Sequence, residues 1–385
     1  MKLFILLSRV PYPLDKGDKL RAFNFIKYLS EYHDIYLFCI NEDKTSEAAL
    51  AAIQPYCKRI KIINLSKIQI LISLFNAIFS KLPFQVAYFT NQKIKHEIDH
   101  YIAEIQPDHI FCQLVRMAEY VKNIKIPKTI DYQDVFSYGV KRRIQISKFY
   151  LKPLLKEEYK RLVAYENEVF ELFNTRLIIS ETDRDLITHP QKNKIDIIPN
   201  GVDFNYYKPI NCEKEYDIVF TGNMSYPPNV NAALFLVNDI LPLVKEKISD
   251  VRIQIAGANP TILVRQLNSS NVTVTGWVDD LRNCYANSRV FVAPMRIGTG
   301  LQNKLLEAMA MGVPCVSTGL CNNALHAKNE VEILLGNSAH EIANCIVKLL
   351  LYSDMRDEIS NNALEFVKNN FNWEINIKKL NNLIN

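Results

Sequence analysis

Residues 291–317 read FVAPMRIGTGLQNKLLEAMAMGVPCVS. The apolar run 289–293 predicts a buried strand. A loop holding Gly298 and Gly300 follows, a helix starts near Gln302, and Gly312-Val313-Pro314 stops it. A second apolar run, 313–317, predicts the next strand. Strand, glycine loop, helix and strand in this order make one unit of a parallel α/β sheet. Two glycines let the backbone approach a ligand, and a helix N-terminus offers unpaired N–H groups to an anion. Lys304 and Glu307 stand three residues apart and share a helix face. A cation, an anion-binding helix end and a nearby carboxylate suit a nucleoside diphosphate with its ribose. The plain alternative is a glycine turn followed by a solvated Lys–Glu pair.

Working outward, the first half of the chain alternates apolar runs with amphipathic stretches. Strands are expected at 2–8, 35–40, 59–64, 109–113, 128–132, 176–180 and 195–199, and helices at 20–30, 97–105, 151–173 and 182–187. Ser180 and Asp183 read as a capping pair at the start of the last helix. Pro199-Asn200-Gly201 marks a sharp turn, and 209–216 is polar and irregular, so a domain boundary is expected near 200–213. The rhythm then restarts with strands at 217–221, 251–256 and 272–275 and a helix at 229–240. The expected fold class is α/β with two Rossmann-like domains, 1–200 and 201–367, each on a parallel sheet. Clefts between domains are favoured ligand sites.

Composition sets limits. At 385 residues the chain suits two domains, and 48% hydrophobic with 23% charged residues is ordinary for a globular protein. Eight cysteines show no CxxC or metal-like spacing, which predicts reduced thiols in the cytoplasm. The opening MKLFILLSRVPYP lacks a small-residue cleavage site and reads as a first buried strand. No run reaches the roughly 18 apolar residues of a spanning helix. Residues 1–200 hold 30 Lys and Arg against 23 Asp and Glu, while residues 201–385 hold 16 against 18. A basic first half fits an anionic membrane or a phosphorylated acceptor, although such a surplus is common. The absence of Lys/Arg blocks argues against nucleic acid.

The second half resembles the retaining family 4 glycosyltransferases, the group 1 glycosyl transferases of the GT-B fold. The residues that carry the resemblance are Glu307-Ala308-Met309-Ala310-Met311-Gly312-Val313-Pro314-Cys315-Val316, Pro199-Asn200-Gly201-Val202-Asp203, Thr221-Gly222-Asn223-Met224 and Gly276-Trp277-Val278. Pro11-Tyr12-Pro13 with Asp15, Gly17, Asp18, Lys19 and Arg21 is similar to the first loop of one branch of the family. The resemblance implies two domains facing a central cleft, with a last helix, about 368–385, returning to the first. It implies that Glu307 holds the ribose of a sugar nucleotide. It places the donor on Gly17, Gly222, Asn223, Trp277, Val278, Arg296, Gly298, Thr299, Gly300, Leu301, Lys304 and Glu307. The implied reaction is transfer of a sugar from a UDP- or GDP-sugar, with retention, to a glycan or lipid-linked acceptor in envelope polysaccharide or glycolipid synthesis. No cofactor and no metal are expected. A cation and a helix N-terminus serve the leaving diphosphate, and Asp279 and Asp280 are adjacent rather than spaced as Asp-x-Asp.

The chain departs from the family's pattern in three places. Thr299 stands where many members have the first Glu of Glu-x7-Glu, so sugar contacts fall to the backbone of Gly300 and Leu301. The stretch after Gly222 carries no cation, which leaves the countercharge to Arg296 and Lys304. The usual first-domain His is not evident; Asp131, Gln133 or Asp134 stands near that place, and Asp134 is the expected catalytic group, with Lys304 and Glu307.

Three rival readings exist. His96-Glu97-Ile98-Asp99-His100 fits the HExxH of zinc peptidases, with Glu119 as third ligand, but Ala103 replaces the glycine of the extended motif. A sugar-nucleotide epimerase or a phosphorylase would keep the fold and change the chemistry. A non-catalytic relative would fit the missing Glu. Separately, residues 60–85 and 141–160 mix basic residues with large apolar ones. Both stretches fit helices lying on an anionic membrane as a peripheral contact, and equally helices packed on their own domain.

Overall fold

The computed structural model describes every residue except Asp43, Gly298 and Thr299, and every side chain among these but that of Ile146. The chain divides into two compact units, Met1–Pro199 with Glu374–Asn385, and Asn200–Trp373. Residues 368–373 therefore lie with the second unit.

Among the described residues the first unit is built on a parallel sheet of β1 (Lys2–Leu7), β2 (Asp34–Asn41), β3 (Arg59–Asn64), β4 (His109–Gln113), β5 (Lys128–Asp131), β6 (Thr175–Ile178) and β7 (Asp196–Ile197). Their order is β3-β2-β1-β4-β5-β6-β7, and Leu3 aligns with Ile35 on one side and His109 on the other. Central strands of such a sheet are covered on both faces, so they read as continuous apolar runs. Leu3 through Leu7 are all buried. Phe4 and Phe38 of the sheet meet each other and Tyr101 of the helix Gln92–Ile105 at tilted to edge-on ring angles. The helix Trp373–Ile384 buries Ile377 and Leu380, and its Asn376 donates to the Pro199 carbonyl at 3.1 Å.

A fully buried ion pair fixes the first helix, Gly17–Leu29, to the sheet. Arg21 donates to both carboxylate oxygens of Asp131 at 2.7 and 3.0 Å and to the Ile198 carbonyl at 2.7 Å. Neither side chain has any exposed surface. That helix begins at Gly17 rather than at residue 20, because glycine and the charged residues after it form its solvated first turn.

The second unit has its own parallel sheet: β8 (Tyr216–Thr221), β9 (Ile253–Ala256), β10 (Val272–Gly276), β11 (Ser288–Ala293), β12 (Cys315–Ser317) and β13 (Leu334–Leu335). The order is β10-β9-β8-β11-β12-β13. The helix of the opening segment is Asn303–Ala310. It closes with Val313 N–H on the Ala308 carbonyl and Gly312 N–H on that of Met309, with Gly312 at φ +69°. This double bond is a Schellman exit. It uses Val313 and Pro314, so β12 begins at Cys315, two residues later than its apolar run suggests. The helix expected to stop at Ile240 continues instead. Pro227–Phe235 runs into a π-turn, Leu236–Ile240, and then Leu241–Lys245. Pro242 sits in the first turn of that last segment, where its missing N–H costs least. No helix among the described residues is long and apolar enough to cross a membrane.

Candidate active site

In the second unit the chain leaves β8 toward β9 and β10, then crosses back to β11 on the other side of β8. The carboxyl ends of β8 and β11 thus form a switch point, where loops part and open α/β sheets bind ligands. Gly222, next after β8, has φ +155°. A Cβ there would lie 2.7 Å from Asn229 Nδ2 and 3.0 Å from Lys304 Nζ. Gly257, after β9, has φ +140°, and a Cβ on it would stand 1.8 Å from the Gly222 carbonyl oxygen. Two glycines therefore let two loops and a lysine share one place. Asn223 is exposed and folds the turn on itself, accepting from the Ser225 N–H and hydroxyl at 3.0 and 2.8 Å.

The helix Asn303–Ala310 points its N-terminus at this place, and among the described residues no side chain caps it. Its orphan N–H groups are those an anion satisfies. Lys304 donates to Asn229 Oδ1 at 2.7 Å and its ammonium lies 4.6 Å from the centre of the Phe220 ring. Burial pushes this ammonium down to about 8. One turn on, Glu307 accepts from the Tyr285 hydroxyl at 2.9 Å, and Tyr207 also hydrogen-bonds to it. Tyr285 in turn shares a 2.9 Å hydrogen bond with Thr221. Burial raises the Glu307 carboxyl above its ordinary range, while Tyr285, the Lys304 charge and Tyr207 hold it back. A half-buried carboxylate fixed by two phenols can accept from ribose hydroxyls without moving.

Tyr207 arrives through Pro199-Asn200-Gly201-Val202-Asp203. Gly201 lies against Trp373, where any Cβ would come within 2.6 Å of the tryptophan backbone nitrogen. Asp203 then accepts from the Asn205 and Tyr206 N–H groups, and its carbonyl accepts from that of Tyr207 at 2.7 Å. Asn200 also reaches Asn303 at the head of the helix, at 3.1 Å.

The remaining expected donor residues surround this core. Arg296 is exposed, packed over the Phe235 ring at 4.0 Å and bonded to Asn231 Oδ1 at 3.2 Å. Gly300 has φ +83°, and Leu301 is half-buried against the core. Gly298 and Thr299 lie outside the described residues. Gly276 turns with φ +71°, leaving Trp277 exposed beside an open recess of about 590 Å³ that Asn259, Pro260, Arg265 and Thr275 also line. Val278 packs on the core. Asp280 is engaged by Arg282 and the Tyr206 hydroxyl.

In the first unit the corresponding switch point is at the ends of β1 and β4. Gly17 lies there, and a Cβ on it would meet nothing within 4 Å. After β5 the three alternatives separate. Asp131 is consumed by Arg21 and is fully buried, so it is structural. Gln133 is buried at φ +60°, and its side-chain oxygen has no hydrogen-bond partner among the described residues. Asp134 keeps surface open to solvent, yet burial of its surroundings raises its carboxyl. Nearby, Glu166 accepts from the Ser137 N–H and hydroxyl, and burial pushes its carboxyl up to about 7.

The HExxH spacing falls on a solvated helix face: His96 and His100 are exposed and Glu97 pairs with Lys61. Glu119 accepts from Tyr165 and Lys122. Among the described residues no group of three His, Cys, Asp or Glu is placed to hold a metal ion.

Residues 215–351 match the family model for Glycosyl transferases group 1. The match falls within the second unit, and the protein is a glycosyltransferase. Over 391 aligned residues, 96% of each chain, the transferase is 22% identical to an uncharacterized 44.6 kDa protein in the cps region of Klebsiella pneumoniae. It is 25% identical over 254 residues to an Escherichia coli UDP-Gal:alpha-D-GlcNAc-diphosphoundecaprenol alpha-1,3-galactosyltransferase, covering 59% of this chain and 65% of that one. Its fold matches that of Anabaena HepE in complex with UDP, with a TM-score of 0.71 at 14% identity over 99% of each chain. The two parallel-sheet units of the transferase are those of the GT-B fold.

Proposed function

We propose that the protein transfers a sugar from a nucleoside-diphosphate sugar to a glycan or lipid-linked acceptor, with retention, in the assembly of an envelope polysaccharide or glycolipid. The observation that carries the donor reading is that Lys304 and Glu307 stand one turn apart beside Gly222, at the head of the helix Asn303–Ala310. The orphan N–H groups and Lys304 serve the diphosphate, Arg296 adds charge from the rim, and Glu307 takes the ribose. These groups are aimed at the leaving group, where negative charge develops as the glycosidic bond breaks. Such an arrangement suits departure of the diphosphate on the same face as acceptor attack, with the leaving phosphate receiving the acceptor proton. A lysine and a helix end supply the countercharge, so no divalent ion is required. We place Asp134 at the acceptor. The name of the Escherichia coli relative supports a uridine nucleotide and an undecaprenol-linked acceptor, and the cps-region relative supports a role in polysaccharide assembly.

A thermal-shift panel tests this reading. One family of nucleoside diphosphates, with or without EDTA, should raise the melting temperature of the wild type and not of Glu307→Ala. Product from a matching donor and acceptor should show the donor's anomeric configuration by NMR. Indifference to every nucleotide, or conversion of the sugar nucleotide without an acceptor as an epimerase would do, refutes it.

A further inference from the structure

The helix Lys67–Ile78 in the first unit is turned outward in an unusual sense. Its large apolar residues Ile68, Leu71, Ile72, Phe75 and Ile78, with Phe79 just beyond, follow the spacing of one helical face. That face points to solvent: Ile68 is 72% exposed, Phe75 61% and Phe79 78%. The opposite face is the one attached to the protein. Ala77 is buried, Ile70 packs on the core, and the Ser73 hydroxyl donates to the Thr90 carbonyl at 2.8 Å. The helix is held by its Ser73, Ala77 and Ile70 side, and the face of Ile68, Leu71, Ile72, Phe75 and Ile78 is left exposed.

A second exposed stretch lies close by. Phe149, Tyr150, Leu151 and Leu154 lead into the helix Lys152–Leu172, and Phe149 is 83% exposed. One turn after Leu154, Glu158 accepts from the Phe84 and Gln85 N–H groups at 2.7 and 3.0 Å. Arg161 donates to the Ala77 and Leu82 carbonyls. The two apolar stretches are therefore pinned to one edge of the unit.

Charge identifies the occupant. Residues 65–83 carry two lysines and no acidic residue, and residues 141–156 carry six basic residues and no acidic one. Among the described residues Lys67, Lys81, Lys148, Lys152 and Lys156 make no ion pair, although the first unit is otherwise rich in them. Apolar residues on one helical face, flanked by unpaired lysines, match an acyl–headgroup boundary of negative charge. We infer that this edge of the first unit docks on an anionic lipid bilayer, with the helix Lys67–Ile78 lying in the interface and the lysines on the headgroups. The inference does not depend on the transfer reaction.

Flotation of the full chain with vesicles tests it. Vesicles of phosphatidylcholine with 30% phosphatidylglycerol should bind the protein at least tenfold more tightly than phosphatidylcholine alone, at about 0.1 M salt. At 0.5 M salt binding should weaken without vanishing, since screening removes the lysine contribution and leaves the apolar one. The triple variant Leu71→Ser, Phe75→Ser, Phe79→Ser should lose at least tenfold in binding to the anionic vesicles. All three residues are exposed, so its melting temperature and its response to nucleotide should match the wild type. Failure of the wild type to float with anionic vesicles at either salt concentration overturns the inference. So does undiminished binding by the variant. A dimer in sedimentation that the variant abolishes, with vesicles ignored, would assign the face to a second copy of the chain instead.

Discussion

Replacing Lys304 by methionine should weaken binding of the nucleoside diphosphate by roughly 10- to 150-fold at pH 7. The change removes one charge and keeps an unbranched side chain that fills the same channel beside Phe220. A charge pair ~3 Å apart at an effective dielectric of about 20 amounts to roughly 5 kcal/mol before desolvation. The net value of a hydrogen bond to a charged group is about 1.5–3 kcal/mol, and that range gives the fold-change stated. The pH dependence is a sharper signature. Burial holds the ammonium at about 8, so wild-type affinity should decline as pH rises through about 8, while the variant's affinity stays level. The stability of the free protein should move the other way. The folded-state value lies below the unfolded one of about 10.4, so the unfolded chain binds more protons between them. Wild-type stability accordingly rises with pH across that window, and the variant lacks this rise. Isothermal titration with UDP and GDP at pH 6.5 to 9 provides the measurement. A variant within threefold of the wild type, or one with the same pH profile, would refute the assignment of Lys304 to the phosphates.

Further consequences can be checked with less effort. Glu307→Gln should cost about tenfold in affinity for a nucleoside diphosphate and leave inorganic pyrophosphate unaffected, because the carboxylate serves the ribose; equal losses for both ligands would argue otherwise. Arg21→Met leaves Asp131 as an uncompensated buried charge and should destabilise the first unit by about 3–5 kcal/mol in urea titration. Adding Asp131→Leu should recover most of that loss, and a double variant no better than the single one would show that the pair matters through something other than its charges. Gly257→Ala sets a methyl group 1.8 Å from the Gly222 carbonyl at a backbone angle unsuited to alanine. It should lose roughly 2–4 kcal/mol and the nucleotide response together, and an unaltered melting curve would contradict the close approach of the two loops.

What the sequence reveals and conceals follows from distance along the chain. β1, β4, β8 and β11 are evident because strands covered on both faces need continuous apolar runs. Lys304, Glu307 and the helix bearing them are evident because three-residue spacing and the glycines on either side are local signals. The two phenols that hold Glu307 are not: Tyr285 is 22 residues away and Tyr207 is 100, and neither sits in a spacing that announces a partner. Arg21 and Asp131 are 110 residues apart, so Asp131 looks like a free strand-end carboxylate until the sheet is assembled. The helix at 67–78 shows its periodicity in the sequence, but periodicity does not say which face turns inward. Ser73 and Ala77 settle that only through contacts with residues 86–90 and the helix beyond.

The contact between Gly201 and Trp373 has one more consequence. The chain enters the second unit at Asn200 and leaves it at Trp373, and Val202 and Asn372 bridge to each other at that spot. The second unit thus begins and ends at a single point, as an insertion in the first unit would. Residues 1–199 carry every described strand of the first sheet, and one helix of that unit, Trp373–Ile384, follows the second unit in sequence. That helix follows the whole inserted half, so His33 meets Asn381 only after residues 200–373 have been made. The second unit, with its lysine and glutamate, is thus complete in sequence before the first.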